Sequence, residues 1–217
     1  MMTRRTIALA ITLLVGCGAS DSIQLDPRMT AQVNGTRFAL QVTLFDLADE
    51  PQSFVLGTDD QLVATLRGES HALEHGAINT VVVDLGTPVV EEELLVVSLH
   101  RNGGGAFTAQ VMIPVSPVVT AGSPASLSHE IMFTWAPSGT DAAVAWSIEA
   151  PCAAGYGPVR GDPGALAIPA NALTVATGSC RGTVAVGKGR RGTVDSDLGL
   201  GALLVDVGES TEVDFVP

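Results

Sequence analysis

Aromatic side chains are scarce in this chain. Only 4 % of its 217 residues are Phe, Trp or Tyr although 46 % are hydrophobic, so a core must be built mainly of Val, Leu, Ala and Ile. Basic residues are scarce too, with 11 Lys and Arg against 23 Asp and Glu and a net charge of −12. A surface of that sign repels phosphate backbones, which argues against DNA or RNA as a partner. A membrane-crossing helix needs about twenty apolar residues. The run from Thr6 to Val15 is half that and is stopped by Gly16, Gly18, Ser20 and Asp21. Cysteine is rare and odd in number, at three.

What is present begins at the N-terminus. Arg4 and Arg5 precede the apolar run, in the order of an export signal. The run closes on Leu14-Val15-Gly16-Cys17, which resembles the lipobox of bacterial lipoproteins. That resemblance implies a cleaved signal over residues 1–16, a lipid-modified Cys17 as the new N-terminus, and a tether over 17–29. Several acyl chains on Cys17 amount to a stable anchor, since one chain binds a membrane only at about 10⁴ M⁻¹. Gly18, where an Asp would favour retention in the inner membrane, points to the outer membrane, facing the periplasm or the exterior. The competing reading is a soluble secreted protein with an accidental cysteine. Removing Arg4 and Arg5 takes the net charge to −14.

Some 200 residues remain, with 24 Gly and 12 Pro in the whole chain, a composition that suits short strands joined by turns. Candidate strands lie near Thr30–Val33, Thr36–Phe45, Ser53–Leu56, Gln61–Arg67, Ile78–Leu85, Leu94–His100 and Gly105–Ile113. In the second of these, Phe38, Leu40, Val42 and Leu44 alternate with polar or small residues, the period of a half-buried strand. Asn34-Gly35 and Asn102-Gly103-Gly104-Gly105 read as hairpin turns. After a Pro/Ser/Gly-rich connector (114–128, with a possible first strand at Val118–Ala121), strands are expected at Glu130–Trp135, Ala142–Glu149, Leu173–Ala176, Gly182–Gly187, Ala202–Val207 and Thr211–Val216. Strands at this spacing predict an all-β chain of two tandem β-sandwich domains resembling immunoglobulin or fibronectin-III modules, over 30–115 and 116–217. One larger sandwich is the alternative.

With Cys17 acylated, Cys152 and Cys180 form an even pair in an oxidising compartment. A disulfide closing that loop of nearly thirty residues stabilises by roughly 3–4 kcal/mol; the rival, a pair of metal-ligating thiols, lacks neighbouring ligands. The second half also resembles short exported lipoproteins of high-GC Gram-negative bacteria. The shared elements are the Phe-Thr-Trp strand (Phe133 to Trp135), Trp146 leading to Cys152, the late Cys180, a Gly-Thr-Val-Asp turn (Gly192 to Asp195) and the Phe-Val-Pro end. No activity comes with that resemblance.

Few residues suggest chemistry. His71-Ala72-Leu73-Glu74-His75 matches the H-x-x-E-H zinc motif of inverzincins, but that chemistry needs a long helix, and Gly68 and Gly76 leave room only for a turn between strands. Strand parity turns Trp135 and Trp146 into the core. Tyr156 lies in a Gly-rich stretch read as a loop and is the best single candidate for a ligand contact. Asp46, Asp49 and Glu50, and Asp195 with Asp197, are clustered carboxylates of the kind calcium uses, without an EF-hand pattern. Gly187 to Gly192, carrying Lys188, Arg190 and Arg191, reads as a tight hairpin with a basic tip, a docking point for an acidic partner or headgroup. No nucleophile-elbow serine or Ser-His-Asp set is evident.

The expected function is a non-enzymatic, lipid-anchored envelope protein with a structural or protein-interaction role, an envelope protein as partner and no cofactor. The alternatives are a ligand-binding module for carbohydrate or calcium, and a zinc hydrolase using His71, Glu74 and His75.

Overall fold

The structure, a computed structural model, describes residues 25–46, 53–101, 106–137, 142–196 and 201–217. The lipobox, Cys17, the Asn102–Gly105 turn, Asp49, Glu50 and Asp197 lie outside the described residues, as do the side chains of Asp46 and Ser196. The described residues form strands and one 3-10 turn (Ala170–Ala172), with no α-helix among them.

Alternation dictates the strands. β1 (Leu25–Asn34) buries Leu25, Met29, Ala31 and Val33, and β2 (Arg37–Asp46) buries Phe38, Leu40, Val42 and Leu44. The two residues joining them are Gly35 and Thr36, since Asn34 pairs with Arg37. Gly35 alone has positive φ (59°), the arrangement of a II′ turn with glycine first. The expected Asn-Gly turn is thus shifted by one residue.

β3 (Gln61–Leu66) and β4 (Glu69–Ala72) meet at Arg67-Gly68, with φ of 54° and 79°. Arg67 holds that left-handed backbone while its guanidinium ties three segments together. It donates to both Glu93 carboxylate oxygens (2.8 and 2.7 Å) and to the carbonyls of Leu85, Thr87 and Pro88. β5 (Asn79–Asp84), β6 (Glu93–His100) and β7 (Phe107–Ile113) complete the first half. Ser53–Leu56, expected as a strand, contributes only a single bridge from Ser53 to Phe45.

The second half holds β8 (Thr120–Ala121), β9 (Ala125–Ser126), β10 (Ile131–Thr134), β11 (Ala143–Ala150), β12 (Ala153–Val159), β13 (Ala165–Ile168), β14 (Thr174–Val175), β15 (Cys180–Arg191), β16 (Thr193–Ser196) and β17 (Ala202–Val216). β9, β12, β13 and β16 were not apparent from the sequence pattern. The two separate strands expected over 202–216 are one strand of 15 residues.

Among the described residues three sheets enclose two cores. The largest runs β14-β12-β11-β15-β17-β1-β2-β5, with β9 also paired to β17. Its β1, β2 and the first half of β17 face a second sheet, β16-β7-β6-β3-β4, across a core of Val, Leu and Ala with Phe38 and Phe107. Its β11, β12, β15 and the second half of β17 face β13-β10-β8 across a core containing Phe133, Trp135, Ile148, Val184 and Phe215.

This all-β sandwich architecture was expected, but the chain crosses the proposed division at residue 116. Leu203, Val205 and Val207 belong to the first core and Val213 and Phe215 to the second. β17 also pairs in parallel with β1, from Arg28 with Ala202 to Asn34 with Gly208. β16, read from sequence as the Gly192–Asp195 turn, pairs with β7 in the first sandwich. The reason is length: the 15 residues of β17 are enough to leave one core and enter the other, and β15, which fills the second core, stays paired with it as far as Arg191 with Leu204. At the crossing Gly187 pairs with Gly208.

Candidate functional site

The most deeply buried polar constellation among the described residues lies where β15 passes between the cores. Val184 and Val186 point into the second core, and two residues on, the same face presents Lys188. The Lys188 and Asp162 side chains are both 0 % exposed, with Nζ 3.1 Å from Oδ2. Nζ also donates to the Ala136 carbonyl.

Asp162 is carried by the turn between β12 and β13, bracketed by Gly161 and Gly164 at φ of 73° and 74°. Trp135, just past β10, grips this turn twice. Its backbone N–H donates to the Gly164 carbonyl at 2.9 Å, and its indole Nε1–H donates to Asp162 Oδ1 at 2.6 Å. A Cβ on Gly164 would stand 3.2 Å from the Trp135 carbonyl oxygen, so glycine permits both the left-handed turn and the close approach. Burying charge is costly unless it is paired and hydrogen-bonded. Burial pushes the Lys188 amine below the usual lysine range and Arg190 acts in the same direction, while the Asp162 contact opposes both.

The expected basic hairpin tip does not exist. Residues 187–191 continue β15 and pair with β17 as far as Arg191 with Leu204. Lys188 is buried, and Arg190 reaches across to Glu92 Oε1 (2.7 Å) and the Met112 carbonyl (3.3 Å) with its side chain 8 % exposed. Both side chains are engaged in internal ion pairs, with Asp162 and Glu92, which removes the docking role expected of Lys188 and Arg190. The period of two through Val184, Val186 and Lys188 was the available signal, and the glycines around it concealed it.

Cys152 and Cys180 form the expected disulfide, with Cα atoms 5.8 Å apart and a sequence separation of 28. It ties the β11–β12 turn to the start of β15.

The H-x-x-E-H stretch is neither helix nor loop at its start. His71 lies on β4, 4.0 Å from Glu69 Oε2, while Glu74 bridges Thr80 and His75 is exposed. Extended chain separates residues four apart by roughly 13 Å, where a helix would stack them on one face. Among the described residues no group of three His, Cys, Asp or Glu is placed to hold a metal ion. Asp195 is exposed on β16.

Trp135 is buried and Trp146 half-buried, with ring centroids 6.0 and 6.5 Å from Phe133. Gly155 and Gly157 make room for the Trp146 indole; a Cβ on either would come within 3.1 Å of it. Both tryptophans are therefore core anchors.

Tyr156 is 87 % exposed. It stands on β12, not in a loop, because the β11–β12 pairing runs from Val144 with Val159 to Ala150 with Ala153. Successive cross-strand partners place Ser147, Ala185 and Ser210 in a row beside it on the outer sheet face.

No protein-family model and no curated protein matches the chain. Among solved structures it is similar to the FN1–FN3 domains of chicken CNTN1, at 13 % identity and a TM-score of 0.31, covering 88 % of this chain and 66 % of that one. It is also similar to a Salmonella α-2-macroglobulin mutant, at 11 % identity and a TM-score of 0.27, covering 89 % of this chain and 15 % of that one. The sandwich architecture rests on the strands and cores described above.

Proposed function

We propose that this protein is a lipid-anchored β-sandwich module of the cell envelope, held to the membrane through Cys17 and serving a non-enzymatic structural or protein-interaction role. The observation that carries this reading is the sheet shared by both cores. β17 alone extends about 50 Å at roughly 3.3 Å per residue, and its two halves bury side chains in different cores. Such a body suits a stiff element that presents a surface at a distance from a membrane. The Cys152–Cys180 disulfide fits an oxidising compartment. Outer-membrane placement and an envelope protein partner belong to the same reading.

The anchor is tested by Cys17→Ala in cells fed labelled palmitate. The parent should carry label and sediment with membranes, and the variant should lose both; a variant that keeps both overturns the anchor. The interaction role is tested by in-cell photo-crosslinking from exposed positions of both sandwiches. A reproducible envelope partner is expected, and its absence at every position leaves only the structural role.

The exposure of Tyr156 beside Ser147, Ala185 and Ser210 favours a second reading, in which this outer face stacks a carbohydrate ring on the phenol. Glycan-array binding that Tyr156→Ala abolishes is the expected result, and no binding by the parent removes this reading.

A further inference from the structure

Lys188 is the only lysine in the chain, and it is spent in a position closed to solvent. We propose that Lys188 and Asp162 are a covalent modification site, joined in the mature protein by a side-chain amide formed without an enzyme or cofactor.

The geometry supplies what the condensation needs. The nucleophilic nitrogen lies 3.1 Å from one oxygen of the carboxyl it would attack. In a site closed to solvent burial penalises both charges, and the reaction begins with the transfer of one proton from Nζ to Oδ2. The amine lone pair then attacks Cγ. The Nζ–Cγ bond forms and the Cγ–Oδ2 bond breaks. Oδ2 departs as water with its own hydrogen and one more from Nζ. An ammonium and a carboxylate thus become one amide and one water, with nothing oxidised or reduced. Holding two reacting groups in contact is worth an effective concentration of about 10⁵–10⁸ M, which favours a condensation that free amines and acids do not undergo in water.

The surroundings also suit the product. A secondary amide has one N–H and one carbonyl oxygen to satisfy. The Ala136 carbonyl already accepts from Nζ, and the Trp135 indole N–H already donates to Oδ1. That N–H at 2.6 Å is also placed to stabilise negative charge developing on Oδ1 during attack. The bond would fasten the β12–β13 turn to β15, closing a loop from 162 to 188 that overlaps the disulfide loop from 152 to 180.

The test is a peptide map of the full-length protein, purified folded, then denatured, reduced and digested with trypsin. Trypsin cannot cut after an acylated lysine. The expected product is Gly161–Arg181 joined to Gly182–Arg190, 18 Da lighter than the two peptides together. Quantitative recovery of Gly182–Lys188 with a free lysine overturns the proposal.

Hot dilute acid gives an independent readout, because it cleaves Asp–Pro bonds through a free aspartate carboxyl. Asp26–Pro27 should break while Asp162–Pro163 resists; equal cleavage of both overturns the proposal. Lys188→Arg keeps the charge but cannot form the amide, so Asp162–Pro163 should become as labile as Asp26–Pro27 in that variant. Because these assays follow denaturation, they do not depend on the variant folding.

Discussion

Lys188 Nζ and Asp162 Oδ2 lie 3.1 Å apart with neither side chain touching solvent, so each is the condition for the other's burial. Removing one alone leaves a buried polar group without its main partner. Asp162→Ala should destabilise by about 3–5 kcal/mol. The double variant Asp162→Leu/Lys188→Met, which removes both polar groups, should recover part of that loss. Urea unfolding of the three proteins gives the comparison, and a double variant no more stable than Asp162→Ala would refute the pairing.

Arg67 predicts an inverted ranking. Its guanidinium bonds to Glu93, Leu85, Thr87 and Pro88 are lost equally in Arg67→Ala and Arg67→Gly. Both variants should lose about 1–3 kcal/mol. Glycine accepts the φ of 54° without the Cβ penalty, so Arg67→Gly should be the milder change, the reverse of glycine's usual cost. Thermal midpoints measured side by side decide the order.

Gly192 is the corner at which the chain leaves β15 for β16. A Cβ there would fall 2.4 Å from the Gln110 carbonyl oxygen and 2.8 Å from Val111 Cβ, and the backbone cannot retreat because Gly192 N–H bonds to Leu203 O at 2.8 Å. Gly192→Ala should therefore cost about 1–3 kcal/mol, as overpacking does. Gly35→Asn, where nothing crowds a Cβ but φ is 59°, should cost only the strain of the turn, about 1 kcal/mol. Chemical denaturation of both variants checks the contrast.

Asp84 sets an acid-side dependence. Gly86 N–H donates to its carboxylate at 3.0 Å, and together with a Thr36 bond this holds the group below the usual carboxylate range. A depressed native pKa means that the stabilisation is complete above the ordinary value of 3.8 and is lost as pH falls through the native value. Asp84→Asn should be less stable than the parent at pH 7, and the gap should close in acid. Urea midpoints through an acid series, with the carboxyl followed by NMR, test both the sign and the window.

Replacing Cys152 and Cys180 together by alanine should lower stability by roughly 3–4 kcal/mol, the loop-closure value for a separation of 28. Thiol counting on the denatured, unreduced parent should find neither cysteine free. A full complement of free thiols would show the bond absent.

Strands with one face in water and one in a core were legible, because the two-residue period is local. β2 follows it from Arg37 to Phe45 and β7 from end to end. Strands that break the compositional rules were not. β12 reads Ala-Ala-Gly-Tyr-Gly-Pro-Val and looks like a loop, since its glycines serve the Trp146 ring rather than a turn. The far end of β15 reads Gly-Lys-Gly-Arg-Arg and looks like an exposed basic tip. There Lys188 is paired inward with Asp162 and Arg190 with Glu92, 26 and 98 residues away in the chain.

The all-β class, the apolar faces of the regular strands and the pairing of the two later cysteines could be read along the chain. The first two follow from spacing along the chain and from which residues tolerate turns, and the third from the even count of cysteines that remains once Cys17 is assigned to the lipobox. Tertiary structure alone decided that β17 lies parallel to β1, that one sheet serves both cores, and that the single lysine faces Asp162 rather than solvent. Those outcomes depend on which strand edges meet, and strand pairing is set by contacts between residues far apart in sequence that carry no local signature.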